Sequence, residues 1–339
     1  MRILFTTDTY HPNVDGVVRA LDLLIPALET YGYEIVVLGP NTDPKPDNYI
    51  TSPGIRLPFY KEYQLVIPDM LRDLDVDLVH NHGLALTAIY GILLARRKKI
   101  PIIGHYHTDI TRATHYIKMP SWIAEVYVRE LLNRYDLTLS PSPMIKHRLN
   151  TLGVRDVDVL PIPIDVNRYY YSDTKDRFLL HVGRLVKEKK IDGIFEYLKD
   201  ISMPLYIAGR GPAMEYYRMR AQEYGIDVEF LGFVSEERLR ELYRDAYALV
   251  FNSDFDTLGL VCVEALASGT PVIAHENTAI ADYIRGFGLT FRDREGFIRA
   301  VKLAREIDYR RMREIANKFH IDNIIKEYIS TYEKFLNRS

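Results

Sequence analysis

The chain has 339 residues, of which 47% are hydrophobic and 27% charged, with a formal net charge of -2. That length suits two domains, each burying its own core, and the composition excludes a disordered or fibrous chain. The near-neutral balance also excludes a general nucleic-acid binder, whose affinity would rest on a basic surface.

The N-terminus, MRILFTTDTY, turns polar after five residues and reads as neither a signal peptide nor a membrane anchor. No apolar run approaches the roughly 18 residues of a spanning helix. The single cysteine, Cys262, lies among Val, Leu and Ala as a small buried hydrophobe and has no partner for an internal disulfide. A reducing, cytoplasmic setting is expected, with peripheral contact at the inner face of the cell membrane left open.

From the start of the chain, short β-rich runs alternate with segments of helical period: ILFTTD (Ile3 to Asp8), the helix-like VVRALDLLIPALETYG, then YEIVVLGP. The rhythm continues through DLVHNHG (Asp77 to Gly83), IPIIGHYHTD (Ile100 to Asp109), DLTLSPS (Asp136 to Ser142) and VDVLPIPID (Val157 to Asp165). This is the pattern of a parallel, doubly wound sheet. It restarts at RFLLHVGRL (Arg177 to Leu185) and runs through MPLYIAGRG, VEFLGFV, YALVFNS, TPVIAHE and GLTF, predicting a second sheet. Between them PIPIDVNRYYYSDTKD, rich in Pro, Asp and Tyr, reads as the linker. The expected divisions are 1–168, 169–322 and a C-terminal helix over 323–339, whose amphipathic stripe in IIKEYISTYEKFL must pack on something.

In parallel α/β sheets, ligands bind beyond the carboxyl ends of the strands. Six such ends carry unusual residues: DTYHPNVDG, HNHG, HYHTD, GRLVKEKK, GRGP and FDTLG. Spread over both halves, they point toward one interdomain cleft. In GRLVKEKK, Arg184 with Lys187, Lys189 and Lys190 suits a diphosphate, and a solvated helix start is the plainer reading. Alternation puts His105 and His107 on one face of their strand and Tyr106 on the other. A histidine there suits a sugar hydroxyl or a developing charge, or is simply a satisfied rim residue. His80, His82, His105 and His107 could cluster around a metal, but no spacing is diagnostic of a zinc site and no acids are grouped with them, so no metal is assigned. The lone GxG, Gly209 to Gly211, lacks the third glycine and comes late, which disfavours a dehydrogenase. ARRKK (Ala95 to Lys99) reads as a solvated helix C-terminus, where cations are favourable.

The segment FDTLGLVCVEALASGTPVIA holds two acids, Asp256 and Glu264, eight positions apart in an apolar frame. It resembles the signature of the retaining GT-B glycosyltransferases of family 4. DTYHPNVDGVVRAL, HYHTD, LPIPIDVNRY, HVGRLVKEKKID, IAGRGP and FLGFVSEERLRELY fall in order where that family has its motifs. The resemblance implies an α/β GT-B fold of two Rossmann-like domains, with a C-terminal helix returning to the N-terminal one. It also implies a nucleotide-sugar donor, with Glu264 on the ribose, Arg184 and Lys189 on the diphosphate, and Phe233 and Val234 lining the base pocket. Thr257, Leu258, Gly259 and Leu260, with Gly16, would approach sugar and phosphates through their backbone. His107 and Asp256 would act at the transferring sugar, and Tyr10, His11 and Asp109 would lie on the acceptor side. Two positions depart from the family: Asp256 stands where glutamate is usual, and Asp15-Gly16 where a glycine pair is usual.

The implied reaction is hexose transfer with retention, from a UDP-sugar or GDP-mannose, with no cofactor and no essential metal. The N-terminal segments DTYHPNVDGVV and THYIKMPSWIAEVYVRELLNRYD look closest to the glycolipid-synthesising branch. They direct the acceptor expectation to diacylglycerol or a phospholipid, against a soluble or polyprenyl-linked sugar. Ile117, Met119, Trp122, Ile123 and Val126, beside Lys118 and Arg129, would form either an interfacial patch or an ordinary core-facing helix, the latter being the default. A nucleotide-sugar epimerase or a sugar-binding module of the same fold are the alternatives. Nothing in the sequence sets the oligomeric state.

Overall fold

The computed structural model describes residues 1–337 apart from 14, 44, 58–59, 113–119 and 254–255, and side chains are not described for 56–57 and 60–64. The chain divides into two compact units, Met1–Pro163 with Ile321–Ser339, and Ile164–His320.

In the first unit the strands are β1 (Arg2–Thr6), β2 (Glu34–Pro40), β3 (Tyr49–Ser52), β4 (Gly54–Leu57), β5 (Tyr60–Val66), β6 (Leu78–Asn81), β7 (Ile102–His105), β8 (Leu137–Ser140) and β9 (Val157–Val159). Seven of them form one sheet in the order β3-β2-β1-β6-β7-β8-β9, each neighbouring pair parallel. Ile3, Leu4 and Phe5 are fully buried, which explains the continuous apolar run: both faces of a parallel strand are covered. β3 and the antiparallel hairpin β4-β5 are absent from the sequence-based expectation, because these strands are short and polar-interrupted and lack the βα rhythm.

Helices α1 (Gly16–Thr30), α2 (Leu86–Lys98), α3 (Ser121–Leu132) and α4 (Pro143–Thr151) follow strand ends. Asp15 takes the N-cap of α1, accepting from the Val17 and Val18 amides. Asp8, at 7% exposure, accepts from the Leu84 and Ala85 amides and the Thr87 hydroxyl, which ties the end of β1 to the start of α2. At the other end of α2 the basic run is structural: Arg97 donates to the carbonyls of Met70 and Arg72, and Lys98 pairs with Asp73.

The second unit holds β10 (Leu179–Val182), β11 (Leu205–Ala208), β12 (Val228–Gly232), β13 (Ala248–Phe251), β14 (Val272–His275) and β15 (Thr290–Phe291). Their order is β12-β11-β10-β13-β14-β15, again parallel throughout. Helices α5 (Phe195–Leu198), α6 (Met214–Tyr224), α7 (Glu236–Asp245), α8 (Leu260–Ala267), α9 (Ala281–Ile284), α10 (Arg294–Ala304) and α11 (Tyr309–Asn317) complete it. The second unit begins at Ile164, whose amide bonds the Phe319 carbonyl and which bridges to His320. The last helix, α12 (Ile321–Leu336), belongs to the first unit. It packs against α1 and buries Ile324, Ile325, Tyr328 and Tyr332, the stripe visible in the sequence.

Candidate active site

In the second unit the strand order reverses between β10 and β13. Such a switch point opens a crevice at the carboxyl end of the sheet, because the two connections leave in opposite directions. The loops after these two strands carry Arg184 and Lys189 on one side and residues 256–260 on the other, and one ion pair joins them. Lys189 Nζ lies 2.7 Å from Asp256 Oδ1 and 2.6 Å from Oδ2, with side-chain exposures of 14% and 25%. Arg184 is half-buried in the same loop. The lysines do not open a regular α-helix, as the sequence suggested; 3₁₀ turns over Lys187–Lys189 and Ile191–Ile194 precede the single turn of α5. Lys187 Nζ sits 4.7 Å from the centre of the Tyr216 ring.

Gly259 occupies the N-cap of α8 at φ 85°. A Cβ there would lie 3.0 Å from Phe251 Cζ, so both conformation and space select glycine. Thr257 and Leu258 are buried and Leu260 begins the helix. Glu264 lies in the second turn of α8 and is 2% exposed. Its Oε2 accepts from the Tyr243 hydroxyl at 2.7 Å. Phe233, by contrast, is 75% exposed just past β12, a ring with a free face, and Val234 beside it is half-buried.

The GxG pattern is a packing device. Its loop bonds the β10 loop through Gly183 N to Ala208 O, Leu185 N to Arg210 O and Ala213 N to Leu185 O. A Cβ on Gly209 would fall 1.9 Å from the Gly183 carbonyl oxygen, and one on Gly211 2.2 Å from that of Leu185. These glycines let the two loops touch.

The first unit has its own switch point, between β1 and β6. Tyr10 and His11 lie in the β1-α1 connection, and Gly16 is the first residue of α1. Tyr10 is buried with its ring 4.7 Å from that of Tyr49, and His11 Nε2 is 2.9 Å from Asp22 Oδ1. The departure at Asp15 is explained by its capping of α1. Beyond β7, Asp109 is 1% exposed and accepts from the Tyr106 hydroxyl and the Thr111 amide and hydroxyl. Arg148 Nε lies 2.7 Å from its Oδ2. Its carboxylate thus organises the β7 loop from within.

His105 ends β7 and His107 lies just beyond it, past the alternation of the strand, in a turn closed by the His107 amide on the His105 carbonyl; their rings stack at 4.2 Å and 20°. His107 Nε2 is 2.9 Å from His82 Nδ1. Burial lowers the His107 pKa to about 3, so the imidazole is neutral at physiological pH. Four residues outside the sequence-based set support these positions: Tyr243 on Glu264, Arg148 on Asp109, and Tyr328 and Tyr332 of α12 on His105 and His80. Only the amphipathic stripe hinted at the last two.

Helix α3 turns one face to the core, as an ordinary amphipathic helix does, but Trp122, Ile123 and Val126 lie outside that face. It buries Ala124, Val128, Leu131 and Leu132, while Trp122 is 63%, Ile123 36% and Val126 40% exposed. Ile117, Lys118 and Met119 lie outside the described residues. No helix among the described residues is long and apolar enough to cross a membrane.

Two Rossmann-like units, each a parallel sheet with polar loops at its switch point, make up the architecture of the GT-B fold. Comparison with known proteins agrees: residues 14–168 match the family described as Glycosyltransferase Family 4 and residues 169–318 that described as Glycosyl transferases group 1. The chain belongs to the family 4, group 1 glycosyltransferases. It is 28% identical to the alpha-monoglucosyldiacylglycerol synthase of Streptococcus pneumoniae, the match covering 84% of this chain and 73% of that one. It is 27% identical to a GDP-mannose-dependent alpha-mannosyltransferase of Mycobacterium tuberculosis, over 84% and 81%. Among solved structures, the sucrose-phosphate synthase of Thermosynechococcus elongatus superposes with a TM-score of 0.78 at 19% identity, covering 100% of both chains, which is a likeness of fold.

Proposed function

We propose that the enzyme transfers a hexose, with retention of anomeric configuration, from a UDP-sugar to a hydroxyl of a membrane lipid such as diacylglycerol or a phospholipid. The observation that carries the donor reading is the Lys189–Asp256 pair across the β10/β13 switch point. In this reading a nucleotide-sugar draws Lys189 onto its diphosphate beside Arg184, freeing Asp256 to face the sugar. Two cations then stabilise the departing diphosphate, and no divalent metal is needed there. The acceptor attacks from the face the diphosphate leaves, and the departing phosphate takes the acceptor proton. Glu264 receives the ribose hydroxyls, and Phe233 and Val234 line the base pocket.

The lipid acceptor is supported by the exposed Trp122, Ile123 and Val126 on α3 and by the similarity to a glucosyldiacylglycerol synthase. An amphipathic surface with an aromatic residue suits the headgroup boundary of a bilayer, which would place the enzyme at the inner face of the membrane. GDP-mannose is the second donor reading, favoured by the mannosyltransferase relative. The test is a panel of UDP- and GDP-sugars assayed with EDTA, with and without lipid extract, in wild type and Glu264→Ala. Transfer of hexose from one UDP-sugar to lipid, lost in the variant along with nucleotide affinity, is expected. Donor consumption independent of lipid, or unchanged nucleotide affinity in the variant, overturns the corresponding part.

A further inference from the structure

We propose that His80, His82 and His105 form a transition-metal site in the first unit, independent of donor binding and structural in role. One ring nitrogen from each of these three residues lies within 4.8 Å of those of the other two. All three side chains are buried, at 0%, 4% and 2% exposure.

The tautomers point to which nitrogens would bind. In each ring Nδ1 is already engaged: His80 with the Tyr332 hydroxyl at 2.7 Å, His105 with the Tyr328 hydroxyl at 2.9 Å, His82 with His107 Nε2 at 2.9 Å. In each ring Nε2 is buried with no hydrogen-bond partner among the described residues. Three buried ring nitrogens without a partner are costly, at about 1–3 kcal/mol apiece. One cation would satisfy all three together.

The surrounding bonds are also those a histidine ligand requires. A ligating imidazole donates its other N–H to a fixed acceptor, which holds the ring's orientation. Here two of those acceptors are tyrosine hydroxyls on α12 and the third is a ring nitrogen.

Zinc–nitrogen bonds of about 2.0–2.1 Å place the ligand nitrogens roughly 3.4 Å apart, an inward shift of under about 1 Å per ring from the present spacing. An all-imidazole donor set suits zinc, cobalt, nickel or copper and disfavours magnesium and calcium. Bound there, the ion would clamp the ends of β6 and β7 and, through Tyr328 and Tyr332, fasten α12 to them. It would also fix the His82 proton on Nδ1, so that His82 donates to His107 Nε2 and sets the tautomer of His107.

The test uses the full chain produced in medium supplemented with zinc, or separately cobalt, then purified without chelator and measured for metal per chain. Stoichiometric metal is expected, with the visible bands of four-coordinate cobalt in the second preparation and nitrogen-only protein ligation by X-ray absorption. His80→Gln combined with His105→Gln should abolish it. Tyr332→Phe, which keeps every ligand, should weaken metal affinity about 10–100-fold. Sub-stoichiometric metal in the wild type, stoichiometric metal in the double variant, or unchanged affinity in Tyr332→Phe overturns the site.

Discussion

Lys189 and Asp256 form a two-pronged ion pair at 2.6 and 2.7 Å, joining the loops that leave two adjacent parallel strands. Both residues are assigned to the donor, so in the absence of donor each occupies the other's binding capacity. Asp256→Asn should release Lys189 and tighten the binding of a free nucleoside diphosphate by about 3–10-fold, on the order of 1 kcal/mol. Transfer should fall by more than tenfold in the same variant. Calorimetric titration with UDP beside a turnover assay separates the two, and weaker UDP binding would contradict the exchange.

Glu264 and Tyr243 make the second pair that matters. Tyr243→Phe keeps the carboxylate and the ring while removing the donor to Oε2. Nucleotide affinity should drop several-fold and the thermal midpoint should fall with it, because a buried carboxylate loses a donor. Glu264→Ala removes the acceptor of the buried Tyr243 hydroxyl and should cost about 1 kcal/mol in stability as well as donor binding.

The buried histidines set a pH limit. His181, whose Nδ1 lies 3.2 Å from the Val250 carbonyl, has its pKa lowered to about 4, chiefly by desolvation. Its unfolded value is about 6.5. Between those two values the unfolded chain binds a proton the folded one refuses, so stability is present above pH 6.5 and is lost as pH falls toward 4. The loss is about 3 kcal/mol for this residue alone. His107, lowered to about 3, acts in the same direction in the first unit. Urea midpoints should therefore decline from pH 7 to pH 5, and a flat profile would contradict neutral burial.

Two glycines separate strain from collision. Gly209 has φ 145° and a Cβ position 1.9 Å from the Gly183 oxygen, whereas Gly225, at φ 63°, has nothing within 4 Å. Gly209→Ala should destabilise the second unit by more than about 4 kcal/mol. Gly225→Ala should cost only about 1–2 kcal/mol, the left-handed backbone penalty. Chemical denaturation followed by far-UV dichroism distinguishes them.

On α3, Trp122→Ala with Ile123→Ser and Val126→Ser alters exposed positions, so folding should be unaffected. Co-sedimentation with anionic phospholipid vesicles should fall several-fold if this face meets the bilayer. Undiminished sedimentation would move the lipid contact elsewhere.

Most of the fold is readable in the order of residues, because parallel strands buried on both faces must be apolar throughout, and the connections between them must be helical. Twelve predicted strands, from Ile3 to Phe291, are present where their apolar runs fall. The candidate donor residues were legible for a related reason: glycines and charges after a buried strand have no role in its core. Partnership was not legible. That Lys189 holds Asp256, that Tyr243 holds Glu264, and that Asp109 faces Arg148 depend on which strand lies beside which, and strand order leaves no local trace. The histidines show the limit most plainly. His80 and His82 are separated from His105 by a helix, and their hydroxyl partners follow more than two hundred residues later. Only the pairing of β6 with β7 and the return of α12 bring those five side chains together.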